Sequence, residues 1–149
     1  MEKPARRKRA RRLLLLVGAL ASVRAIRKWR PAPVRVEGES MMPTLPSGAL
    51  VAVSHLNGTP GLGAIVVVRR PDGSEHLKRI VAVPGDRFVG PVGLTFTLKD
   101  DEFAVAGDNR SASTDSRHYG PVQREEIVAI ARACYWPPGA WRRLPKGSS

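Results

Sequence analysis

The chain has a single cysteine, Cys134, which excludes an intramolecular disulfide and any metal site built from several thiolates. Cys134 lies in the apolar stretch Ala131 to Trp136 with no histidine nearby, and reads as a small packed side chain, not a nucleophile. Histidine is scarce as well. His55, His76 and His118 are too scattered to propose as a base, and each reads as a surface or turn residue. Acidic residues are almost missing from the first thirty positions, where Glu2 stands against eleven Lys and Arg. That segment accounts for +10 of the net charge of +12, leaving fourteen bases and twelve acids in the other 119 residues. The positive charge therefore belongs to an N-terminal arm and not to a binding face of the body, and no specific nucleic-acid partner is expected.

Long apolar runs are also lacking. The uninterrupted run Leu13 to Val23 has eleven residues, about 16 Å as a helix against a hydrocarbon core of about 30 Å. Basic clusters flank it, Arg6 to Arg12 before and Arg24, Arg27, Lys28 and Arg30 after. Three readings fit: a short membrane anchor, a cleavable leader with the small-x-small pattern Ala19-Leu20-Ala21, or a helix lying in the headgroup layer. Attachment to membrane lipid is the expectation, and charge on both flanks leaves its orientation open. Pro31-Ala32-Pro33 ends the arm, because proline cannot continue a helix. The organisation expected is an arm over residues 1–33, a body over 34–136, and a Pro- and Arg-rich tail over 137–149 that is peripheral.

What the body does have is short runs rich in valine and isoleucine, bounded by Gly, Pro or Asp. This pattern predicts strands over Leu50–His55, Ala64–Arg69, Glu75–Val83, Leu94–Leu98 and Glu102–Ala106. Glu75–Val83 is the longest of them, and Glu126–Ala131 fits a strand or a short helix. Thirteen prolines and fourteen glycines suit many turns, and there is no repeat and no long amphipathic helix. The body is expected to be mainly β.

Among six lysines, Lys78 is unusual. On a strand it shares a face with Ile80 and Ala82. Burial there disfavours the ammonium, and a neutral lysine is a general base. Arg79 beside it is not, because guanidinium keeps its proton. Ser40 lies between Gly38, which allows close backbone approach, and Pro43, which stiffens the chain. Met41 and Met42 supply adaptable apolar surface for a substrate or for the core. The polar segment Gly107 to Arg117 can brace itself through its own backbone; Asp115 and Arg117 can pair within it, and the Ser113 hydroxyl can hold an amine. Taken singly, each feature has a plainer reading: a strand-edge lysine with its amine in water, a loop serine and a solvated turn.

Together the features change weight. Ser40-Met41-Met42-Pro43-Thr44, then Leu77-Lys78-Arg79-Ile80-Val81-Ala82-Val83-Pro84-Gly85-Asp86, then Gly107-Asp108-Asn109-Arg110 through Asp115-Ser116-Arg117 resemble the type I signal peptidases, serine peptidases of the S26 group. The match covers roughly Val34 to Ala133. It implies a compact β catalytic domain of the signal-peptidase and LexA-like kind, preceded by a short N-terminal apolar helix. It implies Ser40 as nucleophile, Lys78 as general base, Ser113 as the group orienting the lysine, and Asp115 with Arg117 as a structural pair. It implies substrate binding at Met41 and along Ile65, Val66 and Val67, by addition of an extended peptide strand to Gly63–Val68. The implied partner is a precursor protein whose N-terminal segment is removed after small residues, with no metal or cofactor. The implied location is the cell membrane, with the catalytic domain outside the cytoplasm.

Gly38 departs from the larger members, which carry a serine there that helps stabilise the oxyanion. Backbone N–H groups, that of Ser40 included, must then serve. Three other readings stand beside this one. The stretch Ala112 to Arg117 also resembles the compact maturation proteases of nickel-type superoxide dismutase, which implies a cytoplasmic location. Self-cleaving LexA-like regulators use Ser and Lys too, but residues 1–33 are too short for their helix-turn-helix domain. A non-enzymatic binder of anionic membranes or nucleic acid would act through the arm.

Overall fold

A computed structural model describes residues 32–147, and the expected apolar helix and membrane segment lie outside them. The described part is mainly β. Its strands are β1 (Ala32–Arg35), β2 (Leu50–His55), β3 (Ile65–Arg69), β4 (Glu75–Ala82), β5 (Arg87–Val89), β6 (Thr95–Thr97), β7 (Glu102–Ala106), β8 (Val122–Gln123), β9 (Ile127–Trp136) and β10 (Arg142–Arg143). Among the described residues one short α-helix, α1 (Ser116–Tyr119), follows the polar loop. The main sheet runs β1-β2-β9-β3-β4-β7-β8, and β5 and β6 form a separate hairpin. Among the described residues β3, β4 and β9 pair antiparallel with each of their neighbours. No described helix is long and apolar enough to cross a membrane.

The centre of the sheet is covered on both faces, which is why β3 reads as an unbroken apolar run. Ile65 and Val67 join one core cluster with Met41, Leu45, Val51 and Cys134. Val66 and Val68 point the other way, into a cluster with Ile80, Phe103, Val105 and Ile130. Alternation along the strand assigns each residue its side.

Glu126 closes a short 3-10 turn, and Ile127–Ala131 takes the strand alternative as the start of β9, which continues to Trp136 and, at ten residues, is the longest described strand. Its basic residue Arg132 is only half-buried and donates to Ser54 Oγ at 2.8 Å, so the charge that interrupts the apolar pattern has a polar partner on β2. The tail is not peripheral. β10 pairs with Ala133 and Cys134, Leu144 is buried in the core, and Gly147 packs against Gly61 so closely that a Cβ would lie 2.5 Å from its carbonyl. Trp and Arg residues masked this in the sequence, because only Leu144 among them is buried.

Candidate active site

Three segments and one side-chain clamp meet at the end of β7. The first is the turn between β1 and β2. Val36 N–H donates to Ala49 and Gly48 N–H to Val36, which closes the neck of the turn. Leu45 N–H donates to Met41 at 2.8 Å and folds the chain back after Ser40. Gly38 adopts φ +77°, where only glycine is unstrained, although a Cβ there would meet nothing within 4 Å. Its glycine is thus a matter of backbone conformation and not of space. Ser40 is half-buried, and its carbonyl accepts from Asn109 N–H at 2.9 Å, which ties the turn to the polar loop.

The second segment is β4. Lys78 is 4% exposed and lies in register with Val66, on the face of Ile80. Its Nζ donates to Ser113 Oγ at 3.1 Å. Burial holds the amine below its ordinary range; the Asp115 charge pulls it back up, and Arg117 pushes it down again. Burial prevails because the nearest carboxylate is one hydroxyl away and already spent on a guanidinium.

The third segment is the loop from Gly107 to Arg117. Ser113 Oγ donates to Asp115 Oδ2 at 2.7 Å and receives Gly107 N–H at 3.2 Å. Asp115 is fully buried and accepts Gly107 N–H at 2.9 Å, Arg117 Nε at 2.8 Å and Arg117 N–H at 3.2 Å. Burial works against its charge, but the guanidinium bonds of Arg117, then Ser113 and the two backbone donors, outweigh it and hold the carboxyl well below the usual range. Asp115 also caps α1, with His118 Nδ1 accepting from the Asp115 N–H at 3.3 Å. Gly107 is glycine for space: a Cβ would lie 2.3 Å from Ser113 Oγ and 2.5 Å from Ser40 O. Its position shows how closely Ser40 and Ser113 approach.

The fourth piece is a clamp that sequence reading missed. Arg79 points to the opposite face from Lys78 and grips Asp108 with two bonds, Nε at 2.7 Å and Nη2 at 2.6 Å. Its Nη1 donates to the Gly63 carbonyl at 2.9 Å, and its Nη2 lies 3.5 Å from Thr44 Oγ1. One guanidinium so joins the serine turn, the start of β3 and the loop. The signal was present as Lys-Arg on a strand and Gly-Asp-Asn in a loop, but only the fold brings Arg79 to Asp108.

Ser40, Lys78, Ser113, Asp115 and Arg117 are thus gathered at one place, while the expected substrate strand is not available. Both edges of β3 are occupied, by β4 over Ile65–Arg69 and by β9 over Val66–Val68. Ile65, Val66 and Val67 are buried, so no peptide strand can add to them. Met41 is 1% exposed and belongs to the core, whereas Met42 is 38% exposed. An open edge exists one strand over. β7 pairs with β4 only from Arg79 onward, so among the described residues β4 has no partner on that side from Glu75 to Lys78.

Among the described residues no group of three or more His, Cys, Asp and Glu is placed to hold a metal, and no buried side-chain nitrogen or oxygen lacks a partner. The cluster is a closed hydrogen-bonded network in which burial lowers the pKa of one amine. Such an amine can take a proton from a neighbouring hydroxyl.

A family model described as signal peptidase, peptidase S26, matches residues 9–90 and 88–136. The chain is 38% identical over 116 residues to the mitochondrial ATP-independent inner membrane protease subunit 1a of Arabidopsis thaliana, covering 69% of each chain. It is 36% identical over 138 residues to the mitochondrial inner membrane protease subunit 1 of Schizosaccharomyces pombe, covering 86% of this chain and 88% of that one. It is 31% identical over 141 residues to signal peptidase I of Bacillus caldolyticus, covering 68% and 78%.

Proposed function

This chain belongs to the S26 signal peptidase family of serine endopeptidases, and we propose that Ser40 and Lys78 form its catalytic dyad, removing an N-terminal segment from a precursor protein. The observation that carries the reading is the buried contact between Lys78 Nζ and Ser113 Oγ. Ser113 spends its own proton on Asp115, so its oxygen must accept from the amine. A neutral amine that donates one N–H to Ser113 keeps a lone pair for another neighbour. The contacts of the Ser40 carbonyl with Asn109 and Gly107 support the pairing by holding the Ser40 backbone against the same loop.

In this mechanism Lys78 takes the Ser40 proton as Oγ attacks the scissile carbonyl. The Lys78 ammonium then protonates the leaving amine, and an ester between Ser40 Oγ and the substrate acyl group remains. Lys78 next takes a proton from water, which attacks the ester; Ser40 recovers its hydrogen and the acid is released. The developing oxyanion is held by backbone N–H groups. That of Ser40 makes no other hydrogen bond among the described residues, which supports its role.

The substrate adds as a strand to the open edge of β4. Ile80 bonds toward β3 through its own N–H and C=O, and alternation then turns the Leu77 and Glu75 groups to the open side. Membrane lipid is met through residues 1–33, in keeping with the inner-membrane names of two relatives, and the catalytic domain faces away from the cytoplasm. The test is to incubate the purified full chain with candidate precursors and sequence the new N-termini. Ser40→Ala and Lys78→Ala are expected to stop cleavage with the fold intact, and wild-type turnover by either variant overturns the dyad.

A further inference from the structure

An open cup of about 350 Å³ lies between the β3–β4 turn and the segment after Ser113, lined by Arg70, Asp72, Ser74, His76, Thr114 and Tyr119. Its walls continue those of the active site. His76 is two residues from Lys78 on the same face of β4, and Thr114 follows Ser113. Where Lys78 and Ser113 touch, the walls are closed; one step along, they part. The open backbone edge of β4 runs beside both.

The charges in the cup are unequal. Arg70 is spent, donating to Glu126 at 2.9 Å with its guanidinium 4.0 Å over the Tyr119 ring. Asp72 Oδ1 accepts Ser74 N–H at 2.8 Å and Ser74 O–H at 2.6 Å. Among the described residues Asp72 makes no ion pair. Ser74 gives its proton to Asp72, so it accepts from His76 Nε2 at 2.9 Å, and this leaves His76 Nδ1 as an acceptor in the neutral ring. The cup therefore presents a carboxylate outside any ion pair, beside a Tyr119 ring whose face Arg70 already covers. A carboxylate so placed receives a cationic head on an aliphatic stem.

We propose that this cup is a remote substrate subsite, selecting a lysine or arginine side chain of the precursor about four positions from the cleaved bond. Ser74 lies four residues from Lys78, ~13 Å along an extended strand, and an even spacing keeps the side chain on the Lys78 face. The inference rests on the peptidase reading above and on strand addition to β4.

The test uses the full chain in detergent and quenched-fluorescent peptides with alanine before the cleaved bond. Lysine, norleucine or glutamate occupies the fourth position before the bond in one series and the fourth after it in another. One series is expected to show a kcat/KM for lysine roughly fivefold above that for glutamate, the scale of an exposed ion pair. Asp72→Asn is expected to bring that ratio toward one, and Asp72→Lys to invert it, a gain for glutamate that misfolding cannot produce. Equal cleavage of lysine and glutamate peptides in both series, or a preference that survives both substitutions, overturns the subsite while the Ser40-dependent activity stands. Cleavage of no peptide by the wild type, or equal cleavage by Ser40→Ala, overturns the peptidase reading and the subsite with it.

Discussion

Lys78 and Arg79 are neighbours on one strand with the same formal charge, and the fold treats them in opposite ways. Arg79 faces a carboxylate directly, in a two-pronged grip on Asp108. Hydrogen bonding to Asp108, against the cost of burial, raises its already high pKa. Lys78 faces a hydroxyl, and the carboxylate behind that hydroxyl is already gripped by Arg117. The difference teaches how the pKa of a buried cation is lowered: its counter-ion is kept near enough to hold the network, but is committed elsewhere. The same loop supplies both arrangements, with Asp108 at its start and Asp115 near its end.

The largest effect comes from erasing the contrast. Lys78→Arg is expected to lower precursor cleavage by about a thousandfold or more, the scale of removing a catalytic group, because guanidinium cannot act as a base at neutral pH. Gly107→Ala follows. Its methyl would strike Ser113 Oγ and the Ser40 carbonyl together, so activity should fall steeply while unfolding by urea shows a loss of about 1–3 kcal/mol, the cost of overpacking. Arg79→Lys keeps the charge but loses the fork. We expect about a tenfold fall in kcat/KM and a stability loss of about 1–2 kcal/mol, since the pair is partly exposed and worth less than a buried one. Smallest is Arg69→Ala, which removes an exposed pair with Glu75; its stability change should stay within about 0.5 kcal/mol, with cleavage unaltered.

The pH dependence sharpens the same comparison. Lys78 is depressed in the fold by burial, so kcat/KM should rise with pH through that lowered pKa. For stability the sign is the reverse of the usual lysine. The folded state loses its proton before the unfolded state does, so the unfolded chain binds more protons between the two values. Stability therefore increases as pH rises from the folded pKa to the ordinary lysine value, and the full cost is felt below the folded pKa. Asp115 acts in the acid range: its stabilisation is present above the ordinary carboxylate value and is lost as pH falls below it. Lys78→Met should accordingly be inactive yet more stable near neutral pH, by about 1–2 kcal/mol, because an apolar side chain of similar size relieves the burial cost. A melting curve that shows it less stable would mean that Lys78 is not under that strain.

Short apolar runs made much of the fold legible, and β2 and β7 fall where those runs put them. β1, β8 and β10 were not legible, because two to four residues carry no period and their pairing is decided by distant partners. The site divides in the same way. Ser40, Lys78 and the loop stood out locally, one by its setting between Gly38 and Pro43 and one by its apolar neighbours. The clamp between Arg79 and Asp108 spans 29 positions and leaves no local mark. The substrate edge was misplaced for a related reason. Gly63–Val68 looks like a strand that binds, but whether an edge is open depends on which strands flank it, and both sides of β3 are filled.

What the sequence determined by itself is residue chemistry and local conformation: a β-rich body, a charge-rich arm, a lysine set among apolar residues, and the ordered motifs of a peptidase family. Those follow from side-chain periodicity and backbone preference, which act over a few residues. Tertiary structure alone decided which amine has its pKa lowered, which edge is free and which glycine is needed for space. Each of these is a property of what lies across a gap of a few ångströms, between residues the chain holds far apart.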